Sequence, residues 1–235
     1  KEISMLRTPE WFYNNLSNNI PFGFARFNDG EMGGIDRVGS IAARGDQQVN
    51  EDLSNSLKES LCHKQKNYYV GIPCSLCYPQ LNKLALQLVG EYEHLTSAVL
   101  LTNRNWKHFI ETFPTAVRDR RLLWVGGEDQ NTDNLEELGI KIEKKGLVPR
   151  KNSWKYYEHI FKTFPKVFEP NDVVCVSLGP TARVLVQKWF EQMPNITFID
   201  IGSNFDPFTR NVWHNCHKGW DETGFNLTKR CEECN

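Results

Sequence analysis

Between Asp172 and Leu178 the chain is almost continuously apolar, with Val173-Val174-Cys175-Val176 at the centre. A strand that buries one face alternates apolar with polar residues. A run without alternation is expected where both faces are covered, as in a parallel sheet sandwiched by helices. Cys175, inside that run, reads as a small buried hydrophobe.

The rest of the chain repeats the theme. Pro21 to Phe27, Tyr68 to Ile72, Ala98 to Leu101, Leu122 to Val125 and Ile196 to Ile201 read as strands. Between them lie stretches of helical period: Glu51 to Leu61, Leu81 to Tyr92, Trp106 to Phe113, Ser153 to Phe164 (ended by Pro165) and Thr181 to Gln192. In the last, Ala182, Leu185, Val186 and Trp189 fall on one stripe. Strand and helix in alternation predict an α/β, Rossmann-like fold, with a mostly parallel sheet and helices on both faces.

Residues 1–208 are expected to form that domain, and 209–235 a Cys/His-rich extension packed on it. The charges nearly cancel, 28 Lys+Arg against 29 Asp+Glu, so no bulk field draws the chain to nucleic acid or an anionic membrane. No window approaches the roughly 18 apolar residues of a membrane span. With no signal-like segment, a cytoplasmic location is the expectation.

In open α/β sheets, ligands bind beyond the carboxyl ends of the strands. The predicted strand ends carry Asn28-Asp29-Gly30-Glu31, Gly126-Gly127-Glu128-Asp129, Gly179-Pro180-Thr181 and Gly202-Ser203-Asn204. Turns use glycine regardless of function, so no single loop decides. Gly179-Pro180-Thr181 opens a helix after a buried strand, and helix N-termini suit phosphate. The phosphate-loop, dinucleotide-fingerprint and nucleophile-elbow patterns are absent, which speaks against those enzyme classes.

Arg26-Phe27-Asn28-Asp29-Gly30-Glu31 is the sharpest motif. On an extended segment, Asp29 and Glu31 would point the same way and reach one cation. Hard oxygen donors suit Mg²⁺ or Mn²⁺, with substrate phosphate completing the shell, and Arg26 could pair with a diphosphate. A solvated acidic turn is the plainer reading of the same residues.

This segment resembles the R-F-x-D-G-E hallmark of the GT-D-fold glycosyltransferases, a family first catalogued as a domain of unknown function. Further stretches are similar in the same order: Tyr69 to Pro73, Thr102-Asn103-Arg104, Trp124 to Glu128, Pro149 to Trp154, Leu178 to Ala182, and Ile199 to Gly202. The resemblance covers roughly residues 20 to 205. It implies transfer of a sugar from a nucleotide sugar, a UDP-sugar, to a hydroxyl of a glycan acceptor. Asp29 and Glu31 would hold Mn²⁺ or Mg²⁺ against the diphosphate. Arg26, Asn28, Gly126, Gly127, Glu128, Asn152, Gly179, Pro180 and Thr181 would line the nucleotide side. Asp200, Asp206 and Glu128 are candidate bases. The family's glycine-histidine after the last strand is Gly202-Ser203 here, so the acceptor side is expected to be built differently.

Seven cysteines are an odd number for a disulfide framework. Cys231-Glu232-Glu233-Cys234 has the types and spacing of half a structural zinc site, completed either locally by Cys216 with the neighbouring His214 and His217 or at long range by Cys74-Ser75-Leu76-Cys77. Reduced thiols or disulfides fit the same residues. Trp213 and Trp220 could line an acceptor groove or simply pack the tail. Two other functions use the same features: a metal-dependent phosphohydrolase or nucleotidyltransferase, and a non-catalytic zinc-stabilised binding module.

Overall fold

The computed structural model describes residues 8–36, 41–42, 47–214, 216 and 217. In chain order the first half runs α1 (Glu10–Ser17), β1 (Gly23–Arg26), α2 (Asp29–Asp36), β2 (Ile41–Ala42), β3 (Gln47–Gln48), α3 (Glu51–Cys62), β4 (Tyr68–Ile72), α4 (Pro79–Val89) and β5 (Leu95–Ser97). The second half runs α5 (Trp106–Ala116), β6 (Leu122–Gly127), β7 (Ile142–Val148), α6 (Tyr157–Thr163), β8 (Val173–Ser177), α7 (Pro180–Gln192), β9 (Thr197–Asp200) and α8 (Asp206–Thr209).

Seven strands form one sheet in the order β5-β4-β1-β9-β8-β6-β7. Every pairing in it is parallel, with Phe24 opposite both Tyr69 and Ile199, and Cys175 opposite both Trp124 and Ile199. β2 and β3 pair antiparallel outside it. The α/β, Rossmann-like expectation is met, and the 172–178 run lies inside the sheet as β8. The chain moves outward from β1 to β5, crosses to the other half, and returns to β1 through β9. The sheet's two halves therefore meet at β1 and β9, the kind of place where such folds bind ligands.

The period of two in each strand divides the core. Ala25, Val70, Leu123, Val125, Val174 and Val176 pack with Leu57 of α3, Ala85 of α4 and Trp189 of α7. Their neighbours Phe24, Tyr69, Leu122, Trp124, Val173 and Cys175 face the opposite way, onto Phe12 of α1 and Phe109 and Phe113 of α5. Cys175 is buried as expected, and burial pushes its thiol up to about 12.

Three expectations need correction. Ala98 to Leu101 is not a strand: β5 ends at Ser97, and the apolar residues after it form a turn whose amides at Leu100 and Thr102 donate to Ser97 and Val99. Leu100 and Leu101 are apolar because that turn is buried. The helix expected from Ser153 to Phe164 is three short pieces: a 3-10 turn at Ser153–Tyr156, α6, and a second 3-10 turn at Phe164–Val167 with Pro165 in its first turn. There proline lacks only an amide that would be unpaired anyway. The third correction, at α2, concerns the site.

Candidate active site

The carboxyl ends of β1, β8 and β9 open into a cavity of about 380 Å³, within the range of small-molecule sites. Four arginines border it, Arg26, Arg150, Arg183 and Arg210, as do Asp29, Glu31 and Asp206.

The motif at the end of β1 does not stay extended. Asn28 accepts the first helical bond from Met32 N–H (2.9 Å), and its own N–H donates to Glu31 Oε2 (3.1 Å). That is one half of a capping box, the Glu31 carboxylate closing back on the Asn28 amide at the start of α2 while Asn28 Oδ1 makes no return bond. Asp29 and Glu31 are therefore two positions apart on a helix, about 200° around its axis, and do not act as two prongs of one fork. Asp29 stands exposed at the cavity edge. Glu31 is buried, with Oε1 3.2 Å from Arg183 Nη2.

Beneath the floor lies a buried set of charges. Asp200, fully buried at the end of β9, accepts from the N–H of Arg26 (3.2 Å) and of Gly202 (3.1 Å). Its Oδ2 is 3.0 Å from Arg183 Nε and 3.7 Å from Arg26 Nε. Arg183 Nε also donates to the Arg26 carbonyl (2.6 Å), and its Nη1 donates to the Gly179 carbonyl. Burial raises the Asp200 carboxyl above its ordinary range, while Arg183 and Arg26 pull it back. Burial also lowers the Arg26 guanidinium, against the pull of Asp200. Two cations and two carboxylates compensate one another, and both arginines border the cavity. Asp200 does not border the cavity, so as a candidate base it is replaced by a bracing role.

The glycine-rich end of β6 is also internal. A Cβ on Gly126 would lie 2.1 Å from Gln130 Oε1. That oxygen accepts from Gly127 N–H (2.9 Å) and Trp124 Nε1 (3.2 Å), and Gln130 Nε2 donates to Ser177 Oγ (2.9 Å). Gly126 and Gly127 thus make room for a side chain that ties β6 to β8, and neither borders the cavity. Glu128 is exposed and does not border it. Asn152, in a left-handed conformation (φ 53°), accepts from Gln48 N–H (3.0 Å) and also stands outside. Of the loop that opens α7, Gly179 reaches the cavity, while Pro180 and Thr181 are buried, Thr181 Oγ1 bonded to Ser153 Oγ (2.9 Å).

Arg26, Asn28, Asp29, Glu31, Gly179 and Asp206 therefore come together. The reading from strand ends missed Arg183 on α7, Arg150, Arg210 and Gln47. Arg183 had a signal: a charged residue one place from Ala182 on a helix opening beside a predicted phosphate loop. Asp206 is held by Arg210, whose Nη1 is 3.2 Å from both carboxylate oxygens, and Arg210 also meets Asp129 (3.1 Å). The far side is closed by Asp206, His214 and Cys216, with His214 Nε2 2.6 Å from Asp206 Oδ2.

Of the cysteines, Cys74 packs against Val99, and the Cys216 carbonyl accepts from Asn103 N–H (3.1 Å). Cys77 is exposed, and Cys231, Cys234 and Trp220 lie outside the described residues. Among the described residues no three His, Cys, Asp or Glu side chains are grouped to hold a metal. No described helix is long and apolar enough to cross a membrane.

No family model and no curated protein matches the sequence. Solved structures do match. A selenomethionine-substituted domain of unknown function 1792 superposes with TM-score 0.66 at 20% identity, over 92% of this chain and 86% of that one. A second structure of that domain, described as having a distinct glycosyltransferase fold, gives TM-score 0.66 at 20% identity, covering 94% and 89%. A glycosyltransferase (DUF1792) from Streptococcus sanguinis gives 0.68 at 19% identity, covering 96% and 93%. The chain has the fold of these proteins, as its GT-D-like motifs led one to expect.

Proposed function

We propose that this chain is a glycosyltransferase that moves a sugar from a nucleotide sugar, a UDP-sugar, to a hydroxyl of a glycan acceptor. One observation carries the reading: four arginines and Gly179 at the opening of α7 border one cavity at the carboxyl edge of the sheet. Similarity of fold to a glycosyltransferase supports it.

The chemistry asks for such a site. As the bond from the anomeric carbon to the diphosphate breaks, negative charge grows on the leaving nucleoside diphosphate. Cations already fixed in place stabilise that charge without reorganising. Arg26 and Arg183 are fixed by Asp200 and Glu31. The start of α7, where Gly179 borders the cavity, adds its partial positive charge.

A divalent ion fits at one of the two expected ligands. Asp29 is exposed at the cavity edge, a hard oxygen donor of the kind that holds Mg²⁺ or Mn²⁺ together with water and substrate phosphate. Glu31 has one oxygen on the Asn28 amide and the other on Arg183, so a chelating pair does not fit. When bound, the ion would neutralise the diphosphate.

The test is calorimetric titration of UDP into wild type and Asp29→Asn, with and without Mn²⁺. Binding that strengthens with Mn²⁺ in wild type and loses that gain in the variant is expected. UDP that fails to bind under any condition defeats the reading.

A further inference from the structure

We infer that the turn between β5 and α5 is the nucleobase subsite, and that the Asn103 carboxamide reads the edge of the uracil ring. This rests on the sugar-transfer reading above and goes on to name the residues that recognise the base.

The cavity wall is chemically lopsided. Its four arginines, with Asp29, Glu31 and Asp206, stand on β1, α2, α7 and α8 and on the chain after β7 and α8. The turn after β5 contributes Ala98, Val99, Thr102 and Asn103, none of them charged. β5 is one edge of the sheet and β7 the other, so this neutral wall and Arg150 belong to opposite edges. A nucleoside diphosphate has the same asymmetry. Its diphosphate needs cations, whereas its base is an uncharged ring with apolar faces and a polar edge. Proteins hold such rings between apolar side chains and read the edge by hydrogen bonds. A glycan acceptor, rich in hydroxyls, is matched instead to the side that carries Asp206 and Arg210.

The turn is also held in place. Val99 N–H donates to Ser97 Oγ (3.3 Å), Asn105 Nδ2 to the Val99 carbonyl (3.4 Å) and Asn204 Nδ2 to the Leu101 carbonyl (3.0 Å). A Cβ on Gly71 would lie 2.9 Å from Ala98 Cα, so the turn is pressed onto β4. Asn103 has φ 54°, in the left-handed region that asparagine enters more readily than most residues with a side chain. Its N–H donates to the Cys216 carbonyl (3.1 Å). Its carboxamide makes no hydrogen bond among the described residues, and Asn103 borders the cavity. Strained backbone of this kind gathers at ligand sites, where the surroundings hold it.

A carboxamide offers an N–H donor and a carbonyl acceptor side by side. Uracil offers the matching pair, its ring N–H next to a carbonyl oxygen. Two hydrogen bonds then close between Asn103 and the ring edge, while Ala98 and Val99 supply apolar surface for the ring face.

The experiment is calorimetric titration of the full chain with Mn²⁺, using UDP and its analogue methylated at the ring N–H. Both ligands are titrated into wild type and Asn103→Gly. Glycine adopts positive φ freely and keeps the backbone N–H, so the variant removes the carboxamide alone. Comparing two ligands on each protein cancels any general loss from the substitution. Wild type is expected to bind UDP about tenfold tighter than the methylated analogue, and Asn103→Gly to bind the two within about twofold of each other. A variant that keeps the wild-type preference overturns the assignment, as does a wild type that binds both ligands equally. UDP that does not bind the wild type at all defeats the sugar-transfer reading instead, a result distinct from either of these because both require UDP to bind.

Discussion

Arg26 crosses the face of Gly202 so closely that a Cβ there would lie 1.9 Å from Arg26 Nη2. Gly202 also has φ +53°, a conformation that costs residues with a side chain about 1 kcal/mol or more. The glycine after β9 is thus a seat for the guanidinium that faces the cavity. Arg26 cannot yield, because it is buried and held against Asp200. Gly202→Ala is expected to destabilise the fold by about 2 kcal/mol and to weaken UDP binding at least tenfold. Urea unfolding and calorimetry check the two effects.

Asp200 is the countercharge beneath both arginines. Removing one partner of a buried ion pair costs about 3–5 kcal/mol, since the other charge stays buried. Asp200→Asn keeps the shape but loses that charge, and is expected near the lower end of the range. A urea midpoint equal to wild type would show that Arg26 and Arg183 do not depend on it.

How far these relations could be read beforehand differs from element to element. β8 and β4 were legible because strands covered on both faces must be apolar throughout. β7 was not, since Ile142-Glu143-Lys144-Lys145 is polar in the way an edge strand has to be. The cavity's position followed from strand ends alone. Its occupants did not, because Arg183 comes from a helix flank and His214 from the chain beyond α8. Local reading also mistook α2: Glu31 caps the Asn28 amide at a helix start, but the same letters hold a chelating pattern if the backbone is taken as extended.

His94 carries a pH dependence unrelated to the site. Burial lowers its pKa, despite Glu93 3.5 Å away, and its Nε2 accepts from Asn67 N–H (3.4 Å). The folded state favours the neutral ring, so the unfolded chain binds the proton more readily. The associated stability is complete above the ordinary histidine range, about 6.5, and is lost as pH falls through it towards the lowered folded value. Unfolding by urea at pH 8 and pH 5 should show a larger acid loss in wild type than in His94→Gln. Equal losses would contradict this.

Asp29 and Glu31, two letters of one motif, should separate cleanly on mutation. Asp29 is exposed at the start of α2, so Asp29→Asn should leave stability within about 0.5 kcal/mol of wild type, as surface changes do. Its effect should fall on the Mn²⁺-dependent part of UDP binding. Glu31 caps the Asn28 amide and faces buried Arg183. Glu31→Gln keeps an acceptor for the cap but removes the charge, and should cost about 2–3 kcal/mol as a buried pair is broken. If both carboxylates instead chelated one ion, both variants would lose the Mn²⁺ effect and neither would lose stability. Urea midpoints and UDP titrations on the two proteins side by side tell these arrangements apart.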